Sequence, residues 1–109
     1  MSHGRNTVTD SQFDELIHAP NRLKICALLA SVEEAEFRTL REDIGVSDSV
    51  LSKQIRLLEE AGYIKIRKKV VKTGKKTWVS LTKAGKKAFA RHAKELQRLA
   101  ASAAHFGED

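Results

Sequence analysis

Gly45-Val46-Ser47-Asp48-Ser49-Val50-Leu51-Ser52-Lys53-Gln54-Ile55-Arg56-Leu57-Leu58 carries a three-residue turn into an amphipathic segment. Upstream, Phe37, Leu40 and Ile44 recur at helical spacing; downstream, Leu51, Ile55 and Leu58 do the same until Ala61-Gly62 stops the run. Gly45 tolerates the positive φ that ends a helix, and Ser47 offers a side-chain oxygen to cap the next one. Two helices joined by a short Gly-containing turn form a helix-turn-helix, assigned here to residues 38–61.

Beyond Gly62 the apolar period falls from 3.6 to 2. Ile64 and Ile66 alternate with Lys65 and Arg67, and Val79 and Leu81 share one face of a second β-prone run over residues 77–81. The six residues 71–76 between them read as a turn centred on Gly74, so residues 63–82 form a two-stranded hairpin, the wing. Thr82 caps a final helix expected over residues 83–106. On the other side, residues 11–18 read as a short helix with Phe13, Leu16 and Ile17 on one face. Asn21 is expected to cap a helix over residues 22–30, and residues 33–36 read as an acidic, exposed link. The fold class is therefore α+β, mainly α: one winged helix-turn-helix domain over residues 11–106, flanked by tails at 1–10 and 107–109 that are expected to be disordered.

Charge placement narrows the function. Residues 1–60 hold 7 Lys and Arg against 11 Asp and Glu, a net of −4, whereas residues 61–109 hold 13 against 3, a net of +10. Such asymmetry points to a dedicated polyanion-facing surface. Within the wing, Lys65, Arg67, Lys68, Lys69, Lys72, Lys75 and Lys76 occur with no acid among them. A solvated edge strand guarded by Lys would need fewer cations, and phosphate neutralisation explains the density better. There is no secretory pattern at the N-terminus, and the longest uncharged core stretch, residues 25–32, is too short to span a bilayer. With a lone cysteine, a reducing cytoplasmic setting and no membrane association are expected. No nucleophile-base pair, phosphate-binding glycine loop or paired carboxylates stand out, so neither an enzyme nor a cofactor is expected.

The strings Leu51-Ser52-Lys53-Gln54-Ile55, Leu58-Glu59-Glu60-Ala61-Gly62-Tyr63-Ile64 and Leu81-Thr82-Lys83-Ala84-Gly85-Lys86-Lys87-Ala88-Phe89 flank the wing in that order. Together they resemble the small single-domain winged-helix regulators related to the MarR and ArsR families, over roughly residues 20–96. The resemblance implies a homodimeric regulator of transcription, most often a repressor, that binds double-stranded DNA; operator and effector stay open. A winged helix that only docks proteins, or a non-specific nucleic-acid binder, is the alternative; the cationic wing argues against the first and the sparse aromatics against the second.

With Leu51, Ile55 and Leu58 inward, the third helix turns Ser49, Ser52, Lys53 and Arg56 outward, with Gln54 on the flank. A helix fits the major groove, where Lys or Arg reads guanine and Gln reads adenine. The expected DNA contacts are Arg38, Ser47, Ser49, Ser52, Lys53, Gln54 and Arg56 from the helices. From the wing they are Lys68, Lys69, Lys72, Lys75 and Lys76, with Arg41 a secondary phosphate contact. The last helix would run ~35 Å, longer than so small a core requires. Its positions Phe89, Ala93, Leu96, Ala100 and Ala103 step by four and three like a coiled-coil seam. Those residues, with Leu99 and Phe106 and the Phe13, Leu16 and Ile17 face, are the expected dimer contacts. Trp78 reads as a hairpin packing residue and Cys26 as an inert core thiol. His3, His18, His92 and His105 show no ligand spacing, so no metal is expected, although ArsR relatives bind metal on their last helix.

Overall fold

The computed structural model describes residues 13–107, with side chains as far as Ala104. The chain runs α1 (Glu15–His18), α2 (Pro20–Ala30), β1 (Ala35–Glu36), α3 (Phe37–Ile44), α4 (Asp48–Glu60), β2 (Ile64–Val71), β3 (Gly74–Leu81) and α5 (Lys83–Gly107). The expected tail 1–10, Ser11 and the side chain of Phe106 lie outside the described residues, while Gly107 ends α5.

The helix-turn-helix forms for the reasons read above. Gly45 adopts φ +79° and its N–H bonds the Arg41 carbonyl, which closes α3. Ser47 Oγ accepts from the Val50 N–H and opens α4. Leu40, Leu51, Ile55 and Leu58 then lie buried against Ile25, Cys26 and Leu29 of α2. Burying each large aliphatic side chain contributes roughly 1.5–3 kcal/mol, so these two apolar stripes fix α3 and α4 on α2.

Four local expectations are corrected. Helix α2 begins at Pro20, not Arg22, and no side chain caps it: Pro suits the first turn because its missing N–H would have no helical partner there. Residues 33–36 are not simply an exposed link. Ala35 and Glu36 form β1, antiparallel to Val79 and Trp78 of β3, so the sheet has three strands in the order β1-β3-β2. A two-residue strand is too short to show a period. The wing falls within the expected residues, but its strands are longer and its turn tighter: β2 and β3 pair from Ile64–Leu81 out to Val71–Gly74, with Lys72 and Thr73 between them. The first helix is likewise shorter, with Phe13 and Asp14 ahead of it and the Asp14 side chain accepting from the Ile17 N–H as its cap.

The root of the wing and the start of α5 lock together. Thr82 Oγ1 donates to the Gly62 carbonyl and accepts from the Gly85 N–H, while the Thr82 N–H donates to the Tyr63 carbonyl. Gly85 packs so closely that an added Cβ would overlap the Tyr63 carbonyl, so the helix can cross here only without a side chain. From that anchor α5 buries Ala88, His92 and Glu95 at steps of four and three; from Gln97 to Ala104 its side chains are exposed.

Candidate nucleic-acid interface

Helix α4 and the wing open on one face. A cleft of about 350 Å³ lies between them, lined by Ser52, Arg56 and Glu59 of α4, by Lys68 and Thr77 of the wing, and by Phe37, Ile55 and Ile66. A second groove of about 480 Å³ runs between the start of α3 and the wing turn, where Arg38 meets Thr73, Lys75, Lys76 and Thr77. Residues separated by more than thirty positions in the chain thus share two adjoining grooves with cations on their walls. Ser49, Ser52, Lys53 and Arg56 are all exposed on α4, as are Arg38 on α3 and Lys68, Lys69, Lys72 and Lys75 on the wing. Sequence reasoning missed Thr73 and Thr77; their hydroxyl type in a cationic hairpin was the available signal.

Not every expected contact faces outward. Gln54 is half-buried and its Oε1 accepts from Arg22 Nη1 at 2.6 Å, while Arg22 Nε donates to the Leu16 carbonyl at 2.6 Å. Gln54 therefore joins α4 to α2, and through Arg22 to α1, which corrects its place among the expected DNA contacts. Ser47 Oγ is occupied by its cap and lies 3.2 Å from Ser49 Oγ. Arg41 pairs with Asp48 at 3.1 Å, so its charge is largely answered within the chain.

The same holds within the wing. Arg67 pairs with Glu34 at 2.6 Å and Lys76 with Glu36 at 3.9 Å. Glu34 and Glu36 stand two apart, on one side of the β1 segment, and each answers one wing cation. The tip cations Lys68, Lys69, Lys72 and Lys75 have no ion-pair partner among the described residues. Lys65, near the root, is also unpaired among the described residues, but Lys68, Lys69, Lys72 and Lys75 lie in the outer half of the hairpin, beyond Arg67. Trp78 packs in the sheet opposite Arg67 and Glu36; its indole N–H is buried without a partner among the described residues.

The expected dimer residues divide. Ile17 is fully buried in the core of its own chain, which corrects its assignment to a partner surface. Leu16 and Phe89 are half-buried and pack on the same core, and the Phe13 ring lies against His18 and His92. Ala93 and Leu96 are half-buried, and Leu99 (42 % exposed), Ala100 and Ala103 are uncovered. The Cys26 thiol is buried, and burial together with the Asp14 carboxylate pushes its pKa up to about 11. It holds almost no thiolate near neutrality, in keeping with a core role. Among the described residues no group of three or more His, Cys, Asp or Glu is arranged to hold a metal ion, and no helix is long and apolar enough to cross a membrane.

Residues 21–100 match the winged helix DNA-binding domain family. The chain belongs to that family. The match spans the helix-turn-helix, the wing and most of α5, and it bears out both the resemblance and the fold class read from the sequence. Among curated proteins the domain is similar to the uncharacterized protein MJ0432 of Methanocaldococcus jannaschii, 36% identical over 78 residues, covering 72% of this chain and 85% of the relative. Among solved structures it resembles a transcriptional regulator homologue of Pyrococcus horikoshii, with a TM-score of 0.77 and 24% identity over 82% of this chain and 88% of that one. It also resembles YusO of Bacillus subtilis, with a TM-score of 0.71 and 16% identity over 93% and 73% of the two chains. The PcaV transcriptional regulator of Streptomyces coelicolor is a further neighbour, with a TM-score of 0.66 and 19% identity over 80% and 60%. At these identities the neighbours establish a shared fold.

Proposed function

We propose that this domain is a sequence-specific, double-stranded-DNA-binding regulator of transcription that acts as a homodimeric repressor. The observation that carries this reading is the shared cleft in which Ser52 and Arg56 of α4 face Lys68 of the wing. A helix in the major groove places the exposed set Ser49, Ser52, Lys53 and Arg56 at base edges. In the same pose the hairpin lies along the backbone, and Lys68, Lys69, Lys72 and Lys75 replace condensed counterions on phosphates. Arg38 and Lys76 flank the neighbouring groove as further phosphate contacts.

The uncovered half of α5 supports the dimer. Leu96, Leu99, Ala100 and Ala103 continue the seam beyond the end of the core, and small alanines permit close approach of a second helix. A twofold axis there sends two copies of α4 into successive major grooves ~34–36 Å apart, so the site is an inverted repeat with half-sites about one turn apart. Repression follows from the resemblance to families whose members mostly repress.

Selection of duplexes from a random pool by the full chain, followed by anisotropy titrations across salt, tests the reading. An inverted repeat is expected to emerge and to bind at least ~10³-fold tighter than random duplex. Replacing Lys68, Lys69, Lys72 and Lys75 with Ala should lower the log–log salt slope by about 0.9 per lost phosphate contact. No enriched sequence together with an unchanged slope would refute it.

A further inference from the structure

His92 is enclosed completely, on the face of α5 that also buries Ala88 and Glu95. Its Nδ1 accepts from the Asp14 backbone N–H at 2.9 Å, and its Nε2 lies 3.2 Å from Nδ1 of His18. The Phe13 ring closes the cluster, 4.6 Å from the His18 ring and 4.7 Å from the His92 ring. Asp14 carries the connection onward: Oδ1 caps α1, and Oδ2 accepts from the Tyr63 hydroxyl at 2.7 Å. Tyr63 in turn receives Thr82 at the wing root. One cluster thus joins the last helix, the N-terminal helix and the base of the wing.

Proton positions follow from the donors. A backbone N–H only donates, so Nδ1 of His92 holds a lone pair and the ring proton sits on Nε2. That proton donates to Nδ1 of His18, whose own proton is then on Nε2. Both rings are neutral in this arrangement. A second proton on His92 sets an N–H against the Asp14 N–H, and a second proton on His18 sets two donors face to face. Either event breaks one bond of the cluster.

We propose that the His18–His92–Asp14 cluster is an acid-released latch: closed, it holds α1 and the wing root on α5, and a proton taken up by His92 frees them and weakens DNA binding. The effect on DNA rests on the function proposed above; the latch itself does not. Charged groups around His92 act in both directions. Burial first, and then His18, hold its pKa below the ordinary value of 6.5, against the Asp14 and Glu95 carboxylates, which favour the cation. Asp14 is turned toward Tyr63 and the α1 cap, and Glu95 is held by Arg98. Arg91 acts on Tyr63 from α5, and Cys26 of α2 feels both Asp14 and Arg22. Because the closed state binds the proton less readily than the open one, the latch is fully favoured above pH 6.5 and weakens as pH falls from there toward the lowered pKa. Within that window the closing equilibrium falls by up to about tenfold per pH unit.

The test follows the full chain by ¹⁵N NMR without DNA, from about pH 8 to about pH 5, reading the imidazole nitrogens and the exchange of the Asp14 amide. His92 is expected to titrate below 6.5, with Asp14 amide protection lost at the same midpoint. Duplex affinity, measured in parallel, should fall in that window, whereas added positive charge alone would raise it. The variant His92→Asn keeps an acceptor for the Asp14 N–H and should lose the acid response. Should it fail to fold, His18→Gln removes the neighbouring imidazole and should move the His92 midpoint up toward the ordinary value. An Asp14 amide that stays protected while His92 titrates overturns the latch. Affinity that holds or rises as the latch opens overturns its coupling to DNA. Absence of duplex binding at about pH 8 counts against the DNA reading alone, and the amide data still decide the latch.

Discussion

The wing and the last helix are built alike and end differently. Each has a root fastened to the core and a far half that leaves it. In the wing, Ile64, Val79 and Leu81 are buried at the root, and the tip carries Lys68, Lys69, Lys72 and Lys75 in the open. In α5, Ala88, His92 and Glu95 are buried, and the far half carries Leu96, Leu99, Ala100 and Ala103. Both projections leave the core, but the first ends in unanswered positive charge and the second in small and apolar side chains. A cationic tip meets a polyanion without losing hydration it cannot regain, whereas an apolar stripe gains by being covered. In the function proposed above, the two ends meet different partners, DNA and a second copy.

Removing the free half of α5 breaks the comparison most severely. Truncation after Glu95 leaves Ile17, Leu29, Leu58 and the rest of the core in place, so a folded monomer is expected. Affinity for an inverted repeat should fall by about 10²–10⁴, because the second half-site no longer binds as an intramolecular event. Sedimentation equilibrium and anisotropy on both lengths check this. A truncated chain that remains dimeric would place the partner surface elsewhere.

The joint between the two roots comes next. Gly85→Ala drives a methyl group against the Tyr63 carbonyl and should cost about 1–3 kcal/mol, read from thermal or urea unfolding. A variant as stable as the parent would show that the two roots do not depend on one close contact.

Charge at the tip and the root of the wing can be separated directly. Lys69→Ala should lower the salt slope by about 0.9, since that cation is free to meet a phosphate. Arg67→Ala should change it less, because Glu34 already answers Arg67. Equal slopes would mean that the ion pair opens on binding. The smallest effect is expected at Gln54: its substitution by Ala removes the acceptor of Arg22 and should lower stability by about 0.5–1.5 kcal/mol, with little change in base preference in a competition assay.

Much of this was legible in the chain because it depends on near neighbours. The apolar steps of α3 and α4, the Gly45 turn, the Ser47 cap, the alternation in β2 and β3 and the lysine run each lie within a few residues, and local backbone geometry alone turns them into helix, turn, strand and charge. The amino-acid sequence by itself therefore determined a helix-turn-helix, a wing and an over-long last helix, and marked the wing as the cationic end.

Tertiary structure alone decided what pairs across the chain. Gln54 turned inward because Arg22, 32 residues away, reaches its oxygen. Ile17 went to the core and not to a partner because α1 packs across α2 and α5, and no periodicity in four residues shows which surface will cover it. Glu36 became a strand residue only because β3 offered an unpaired edge. His92 found Asp14 across 78 positions, and its enclosure, its tautomer and its pairing with His18 all come from that distant contact. A side chain's own pattern records which face of an element it occupies; the element packed against that face determines whether it meets solvent, core or hydrogen-bond partner.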